Sequence, residues 1–259
     1  MHILLTNDDG IFAQGLWALI DKFTSGHRVT VVAPDRERSA VGHGITLDKP
    51  LRVERISITD ALSGYAVTGT PADCVKLAFL EIMDSRPDLV IAGINPGNNV
   101  GDDVNYSGTV AAAKEAALYG VPSMAVSIRR YDEPCDYGDA AVFIKDLADT
   151  IVKKGLPFGT FLNVNLPIFS PGKISGIRIS RQGTKQYSEY FDKRTDPRNR
   201  DYYWHGSNAN SLENESDIDG SVLGKNYISI TPIKCDMTDY STAAYLKTWK
   251  IKIKNDGSF

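Results

Sequence analysis

Ile3, Leu4 and Leu5 open the chain as an apolar block, closed by Thr6 and Asn7 and followed by Asp8, Asp9 and Gly10. A short apolar run ending in turn residues predicts a strand over His2–Thr6. The spacing then lengthens. Leu16, Leu19, Ile20 and Phe23 recur at intervals of three and four, which places them on one face of a helix over about 16–23. Arg28 to Ala33 is β-branched and continuous in apolar character, the pattern of a strand covered on both faces, and Pro34 closes it. Strands alternating with helices in this way predict a parallel sheet.

The theme returns further along. Pro71 suits the first position of a helix that runs to about Met83, Leu89–Ala92 reads as a buried strand, Ser107–Tyr119 as a helix, and Val121–Ile128 as a strand. Leu51–Ile56 and Tyr65–Thr68 lie too close together for a crossover helix and predict an added antiparallel pair. Beyond Pro171 the texture changes. Ile174–Ser180 is strand-like, the Arg- and Tyr-rich stretch Arg181–Trp204 predicts a protruding hairpin, and residues 207–219, SNANSLENESDID, predict an exposed loop. A strand over Tyr227–Pro232 and a helix near Ser241–Ile251 finish the chain.

The expected fold class is therefore α/β. A Rossmann-like, mostly parallel sheet carries helices on both faces, with an antiparallel insertion and a protruding C-terminal hairpin arm. Residues 1–180 form the core, and 181–259 form the arm and a C-terminal segment rather than an independent domain.

Composition narrows the function classes. The 259 residues, 42% of them hydrophobic, can bury a substantial core. A formal net charge of -3 excludes a global positive field that would gather nucleic acid or an anionic membrane surface. The three cysteines, Cys74, Cys135 and Cys235, are far apart and include no Cys-x-x-Cys, which argues against both a disulfide framework and a thiolate zinc site. No run approaches the ~18 apolar residues that a membrane-spanning helix needs. The expectation is a cytoplasmic protein without an export signal.

The chemistry concentrates in loops at one edge of the predicted sheet. Asp8 and Asp9 follow the first strand, where open α/β sheets bind ligands, and two hard oxygen donors suit Mg²⁺ or Mn²⁺. Gly10 permits the sharp turn on which both carboxylates can converge. Taken alone, the pair fits a turn-former and a helix cap equally well. Two further loops favour the metal reading: APDRERSAVGHG at 33–44 brings Ser39 to the same edge, and AGINPGNNVGDD at 92–103 brings Asn95. Asp8, Asp9, Ser39 and Asn95 make an open cation site that retains water. In NYSGTVAAAKEAA, Ser107 caps a helix whose first amides belong to Gly108 and Thr109, a socket for an anionic group, although a plain N-cap has the same pattern. His43, in the loop of Ser39, is assigned to the loop scaffold.

NDDG, the APDRERS loop, GTPADCV at 69–75, GINPGNNVGDDVNYSGTV at 93–110, NVNLP at 163–167, RQG at 181–183, DPRNRDYYW at 196–204 and ISITPIKCDMT at 228–238 together resemble the SurE family over nearly the whole chain. The resemblance implies a 5'-nucleotidase: a metal-dependent phosphomonoesterase acting on nucleoside 5'-monophosphates, with 3'-monophosphates and short polyphosphate as further candidate substrates. It implies one divalent cation per subunit, Mg²⁺, Mn²⁺ or similar, held by Asp8, Asp9, Ser39 and Asn95. Asn99, Ser107, Gly108 and Thr109 would surround the phosphate, with Asp8, Asp9 and Asn99 as the catalytic group. It also implies a homodimer or homotetramer built through the 181–205 arm and the C-terminal segment. This chain departs from the family pattern at Asn199 and Ala116, where relatives often have Gly, and at Tyr240, where some have His.

Rival readings are weaker on the residues themselves. A receiver domain needs an Asp after the strand at 89–92 and a Lys after the strand at 121–128, where this chain has Gly-Ile-Asn and Arg129. The first turn lacks the Gly-x-Gly-x-x-Gly of dinucleotide binding and carries acids where pyrophosphate would sit. No Walker-type loop occurs. The basic and aromatic arm fits a nucleic-acid platform in part, but Asp192, Asp196 and Asp201 interrupt it and a subunit-binding surface accounts for the same residues.

Overall fold

The computed structural model of the chain describes residues 1–59, 62–129, 137–168, 172, 174–183, 188–208 and 215–251. Cys135, considered above, and parts of the arm and of the loop at 207–219 lie outside the described residues.

The apolar block of the first strand decides the layering. In β1 (His2–Thr6) successive side chains point to opposite faces, so Ile3 and Leu5 enter one core and Leu4 the other. The first core is closed by α1 (Gln14–Thr24) through Leu16, Leu19, Ile20 and Phe23, and by α4 (Gly138–Lys154) through Ile144, Ala148 and Ile151. The second is closed by α2 (Pro71–Leu77) and α3 (Gly108–Leu118), with Val75, Ala112 and Ala116 against Leu4 and Val32. The small side chains of α3 let it lie close to the sheet.

The remaining strands are β2 (Arg28–Pro34), β3 (Val53–Ser57), β4 (Ser63–Val67), β5 (Leu89–Pro96), β6 (Ser123–Ile128), β7 (Thr160–Leu166), β8 (Gly176–Ile179) and β11 (Tyr227–Lys234). Among the described residues they form one nine-stranded sheet in the order β3-β4-β2-β1-β5-β6-β7-β11-β8. All neighbours pair in parallel except β3 with β4 and β7 with β11. The order reverses between β1 and β5, and open α/β sheets bind ligands outside the carboxyl ends of the strands at such a point.

β9 (Ser188–Thr195) and β10 (Asp201–Asn208) make the separate antiparallel hairpin that the arm predicts. Its turn is closed by Asp196, which accepts the Arg198 and Arg200 amides at 2.8 and 2.9 Å. Asn199 takes a φ of +56°, which an asparagine tolerates where a glycine would otherwise stand. The antiparallel insertion forms as expected, but β4 also pairs in parallel with β2, so it widens the main sheet.

Four expectations are corrected. The helix from Pro71 ends as an α-helix at Leu77 and continues to Ile82 in a wide turn, with the Met83 amide reaching back five residues to Ala78. The sequence reading has no element between Ile128 and Ile174, where the structure has α4 and β7. Ile218 and Asp219, read as exposed loop, are 4% and 1% exposed, because α5 (Asp219–Gly224) tucks Val222 and Leu223 beneath β11. The final helix is α6 (Tyr240–Leu246), shorter than expected. Asp239 caps its start, and with no buried residue to extend its packing it ends in a turn at Thr248 and Trp249.

Candidate active site

β1 ends at Thr6, and Asn7 shapes the turn beyond it. Its Nδ2 donates to the Gly10 carbonyl at 2.8 Å, and its Oδ1 accepts the Gly10 amide at 3.2 Å. Gly10 sits at φ +102°, and a Cβ there would stand 3.1 Å from the backbone of Arg36. The turn drives Asp8 inward, to 4% exposure, and leaves Asp9 half-buried.

The N-terminus of α3 lies on Asp8. The Thr109 hydroxyl donates to Asp8 Oδ1. A Cβ on Gly108 would come within 2.8 Å of Asp8 Cβ and 3.0 Å of Oδ2, so only glycine allows this approach. Ser107 caps the helix by accepting the Val110 amide at 3.1 Å. The Thr109 hydroxyl and amide, at a helix N-terminus of the kind that holds a phosphate, thus face the Asp8 carboxylate in the structure. Burial pushes the Asp8 carboxyl above its ordinary value and the Glu37 charge adds to this, while the Thr109 side chain and backbone draw it down without cancelling the rise.

The other predicted residues arrive from neighbouring loops. The Arg38 amide donates to the Asp8 carbonyl at 2.7 Å, which lays the loop after β2 across the Asp turn. Ser39 is exposed and donates to Glu37 at 2.6 Å. Asn95 lies near the end of β5, one residue before Pro96 and three past Ala92, the partner of Thr6, and its Nδ2 donates to the Gly97 carbonyl at 2.7 Å. Both side chains spend a hydrogen, so the lone pairs of the Ser39 hydroxyl and the Asn95 amide oxygen remain for a cation. Asn99 is buried, with Nδ2 donating to Ser127 Oγ at 2.8 Å.

Several residues that the sequence reading does not single out hold this arrangement. Asn163 and Asn165 of β7 donate to the Asn99 carbonyl at 2.8 and 2.9 Å, and Asn165 Oδ1 accepts the Asn99 amide at 2.8 Å. The signal is present as Asn-x-Asn at period two, the polar face of a buried strand. Asp219 accepts the Gly101 and Gly183 amides at 2.9 and 3.2 Å, joining the loop after Asn99 to the base of the arm. His43 does act as scaffold: its ring donates to buried Glu115 at 2.7 Å, and Lys76 reaches the other oxygen at 3.2 Å. Burial alone would raise the Glu115 carboxyl, but these two hydrogen bonds outweigh it and hold it below its ordinary value.

Among the described residues, no three His, Cys, Asp or Glu side chains gather to hold a metal. A cation here would have the two carboxylates Asp8 and Asp9 and complete its shell with neutral oxygens and water, the donor set of a hard, hydrated ion. The chemistry fits, since Asp8 is a buried acid whose unfavourable charge a cation would relieve.

A doubly wound sheet with paired acids at its switch point, and a helix N-terminus turned on the first of them, defines an α/β protein of the kind that binds small ligands at the carboxyl ends of its strands. Comparison with known proteins gives the family. The model of the survival protein SurE matches residues 3–189. The 5'-nucleotidase SurE of Desulfatibacillum aliphaticivorans is 52% identical over 97% of this chain and 99% of its own, and that of Heliobacterium modesticaldum 48% over 96% and 92%. The solved structure of the SurE protein from Aquifex aeolicus, 37% identical, superposes with a TM-score of 0.83 over 95% of this chain and 98% of that one. The chain belongs to the SurE family.

Proposed function

We propose that this protein is a divalent-metal-dependent 5'-nucleotidase that hydrolyses nucleoside 5'-monophosphates to nucleoside and phosphate. The observation that supports the reading is the contact of the α3 N-terminus with Asp8, which sets helix amides beside a buried carboxylate. Asp8, Asp9, Ser39 and Asn95 would hold the cation, Mg²⁺ or Mn²⁺ by its donor set, and Asn99, Ser107, Gly108 and Thr109 the phosphate. When bound, such an ion polarises a phosphoryl oxygen and acidifies a water.

The chain's own residues do the positioning. The amides of Gly108 and Thr109 and the Thr109 hydroxyl orient the phosphoryl oxygens and stabilise charge as it shifts toward the ribose oxygen. The β7 asparagines keep the Asn99 loop in register with this socket. Asp8, buried and hydrogen-bonded by Thr109, suits a ligand better than an attacking nucleophile. The free thiols Cys74 and Cys235 fit a cytoplasmic enzyme. The exposed aromatic residues of β9 and β10 fit a homodimer or homotetramer.

Asp9→Asn is the direct test, with phosphate release from adenosine 5'-monophosphate measured over a Mn²⁺ titration. The variant is expected to fold and to lose on the order of a hundredfold or more in turnover. Full activity at every metal concentration overturns the assignment.

A further inference from the structure

Three of the proposed cation ligands come from two separate strand ends, Asp8 and Asp9 after β1 and Asn95 near the end of β5, and the start of α1 touches the backbone beside both. Gly15, buried in the first turn of α1, lies against the Ile94 carbonyl, and a Cβ there would overlap that oxygen. A side chain at this position would push the helix off the residue that precedes Asn95. Two residues further along the helix, the Trp17 indole N–H donates to the Ile11 carbonyl at 3.0 Å, two positions past Asp9.

Ile11 is where the acidic turn leaves the sheet edge. Its amide donates to the Pro34 carbonyl at the end of β2 at 2.9 Å, and its side chain is fully buried. With the indole on its carbonyl, the peptide groups on both sides of Ile11 are held, one by a strand and one by α1. The Trp17 ring packs on the core beneath α1, and it also lines a depression of about 660 Å³ between α1 and α4, together with Ala18, Tyr137 and Val142. Packing at such a half-open position is equally served by a smaller ring. What distinguishes an indole is its N–H, and that group is spent on the turn.

From this we infer that Trp17 is a positioning residue for the cation site: seated by Gly15 against the strand of Asn95, α1 uses the indole to hold the exit of the Asp8–Asp9 turn at a fixed spacing from that strand. The inference rests on the metal-dependent reading above and adds what keeps the two halves of the donor set in register. A turn held from both sides presents its carboxylates with little ordering left to do, which is how groups beyond the ligands themselves raise affinity.

The test measures Mn²⁺ binding to the whole protein without substrate, from the loss of the free ion's electron paramagnetic resonance signal, beside thermal melting. Trp17→Phe keeps a ring on the core and deletes the N–H, and the open depression leaves no sealed void behind it. It is expected to weaken Mn²⁺ binding about three- to tenfold. The Mn²⁺ concentration that half-saturates phosphate release from adenosine 5'-monophosphate should rise by the same factor. Phe23→Leu, at the far end of α1, removes packing from a fully buried position without reaching the turn. It is expected to lower the melting temperature at least as far as Trp17→Phe does and to leave Mn²⁺ affinity unchanged. Unchanged Mn²⁺ affinity in Trp17→Phe, or an equal loss in both variants, reduces the indole to core packing and overturns the inference while the metal-dependent reading stands. A wild-type protein that binds no Mn²⁺ overturns both.

Discussion

Glu115 is 5% exposed, and its two oxygens bind side chains from two different elements, His43 from the Ser39 loop and Lys76 from α2. Glu115→Gln leaves Lys76 without its charge partner and is expected to cost about 1–3 kcal/mol in urea unfolding. The pH dependence has a definite sign. A carboxyl held below its ordinary value of 4.5 stabilises the fold fully above that pH and progressively less as the pH falls through its folded value. The stability difference between wild type and variant should therefore shrink in acid below about pH 4.5 and stay constant above it. The His43–Glu115 pair is 72 residues apart in sequence, and nothing local marks it, whereas Asp8, Asp9 and Gly10 are legible because a turn at a strand end needs short polar residues and a glycine.

At the level of elements, β7 does the most for the site. Its alternation sends Phe161 into the α3 core and Asn163 and Asn165 to the loop of Asn99. Asn165→Ala removes a donor and an acceptor at once. It is expected to destabilise by about 1–3 kcal/mol and to lower kcat more than it raises KM for a nucleotide, as measured by steady-state phosphate release. The helices and strands around the Asp turn are readable from periodicity because each buries a clean apolar face. β7 is harder to read because its inward polar residues break that pattern, and their reason, a loop 64 to 66 residues earlier, is visible only in three dimensions. α4 has legible spacing at Ala140, Ala141, Ile144, Ala148 and Ile151, so its omission from the sequence reading is not explained by weak periodicity.

At the scale of the whole molecule, the parallel order and its reversal beside β1 follow from alternating strands and helices, and the arm from its composition. The exposed aromatic face of the arm is seen only in the structure. Phe191 and Trp204 are 69% and 61% exposed on a hairpin that pairs with no other described strand, and a two-stranded ribbon is marginal alone. Phe191→Asp with Trp204→Asp is expected to shift the mass in solution from oligomer to monomer, read by light scattering during size exclusion. The arm is also tied to the chemistry. Because a single buried carboxylate, Asp219, clasps Gly101 on one side and Gly183 on the other, the foot of the arm and the loop that carries Asn99 are riveted together. In the proposed oligomer, a load borne by the segment around Gly183 would reach the Asn99 loop through this one carboxylate, so assembly and turnover would share a mechanical joint.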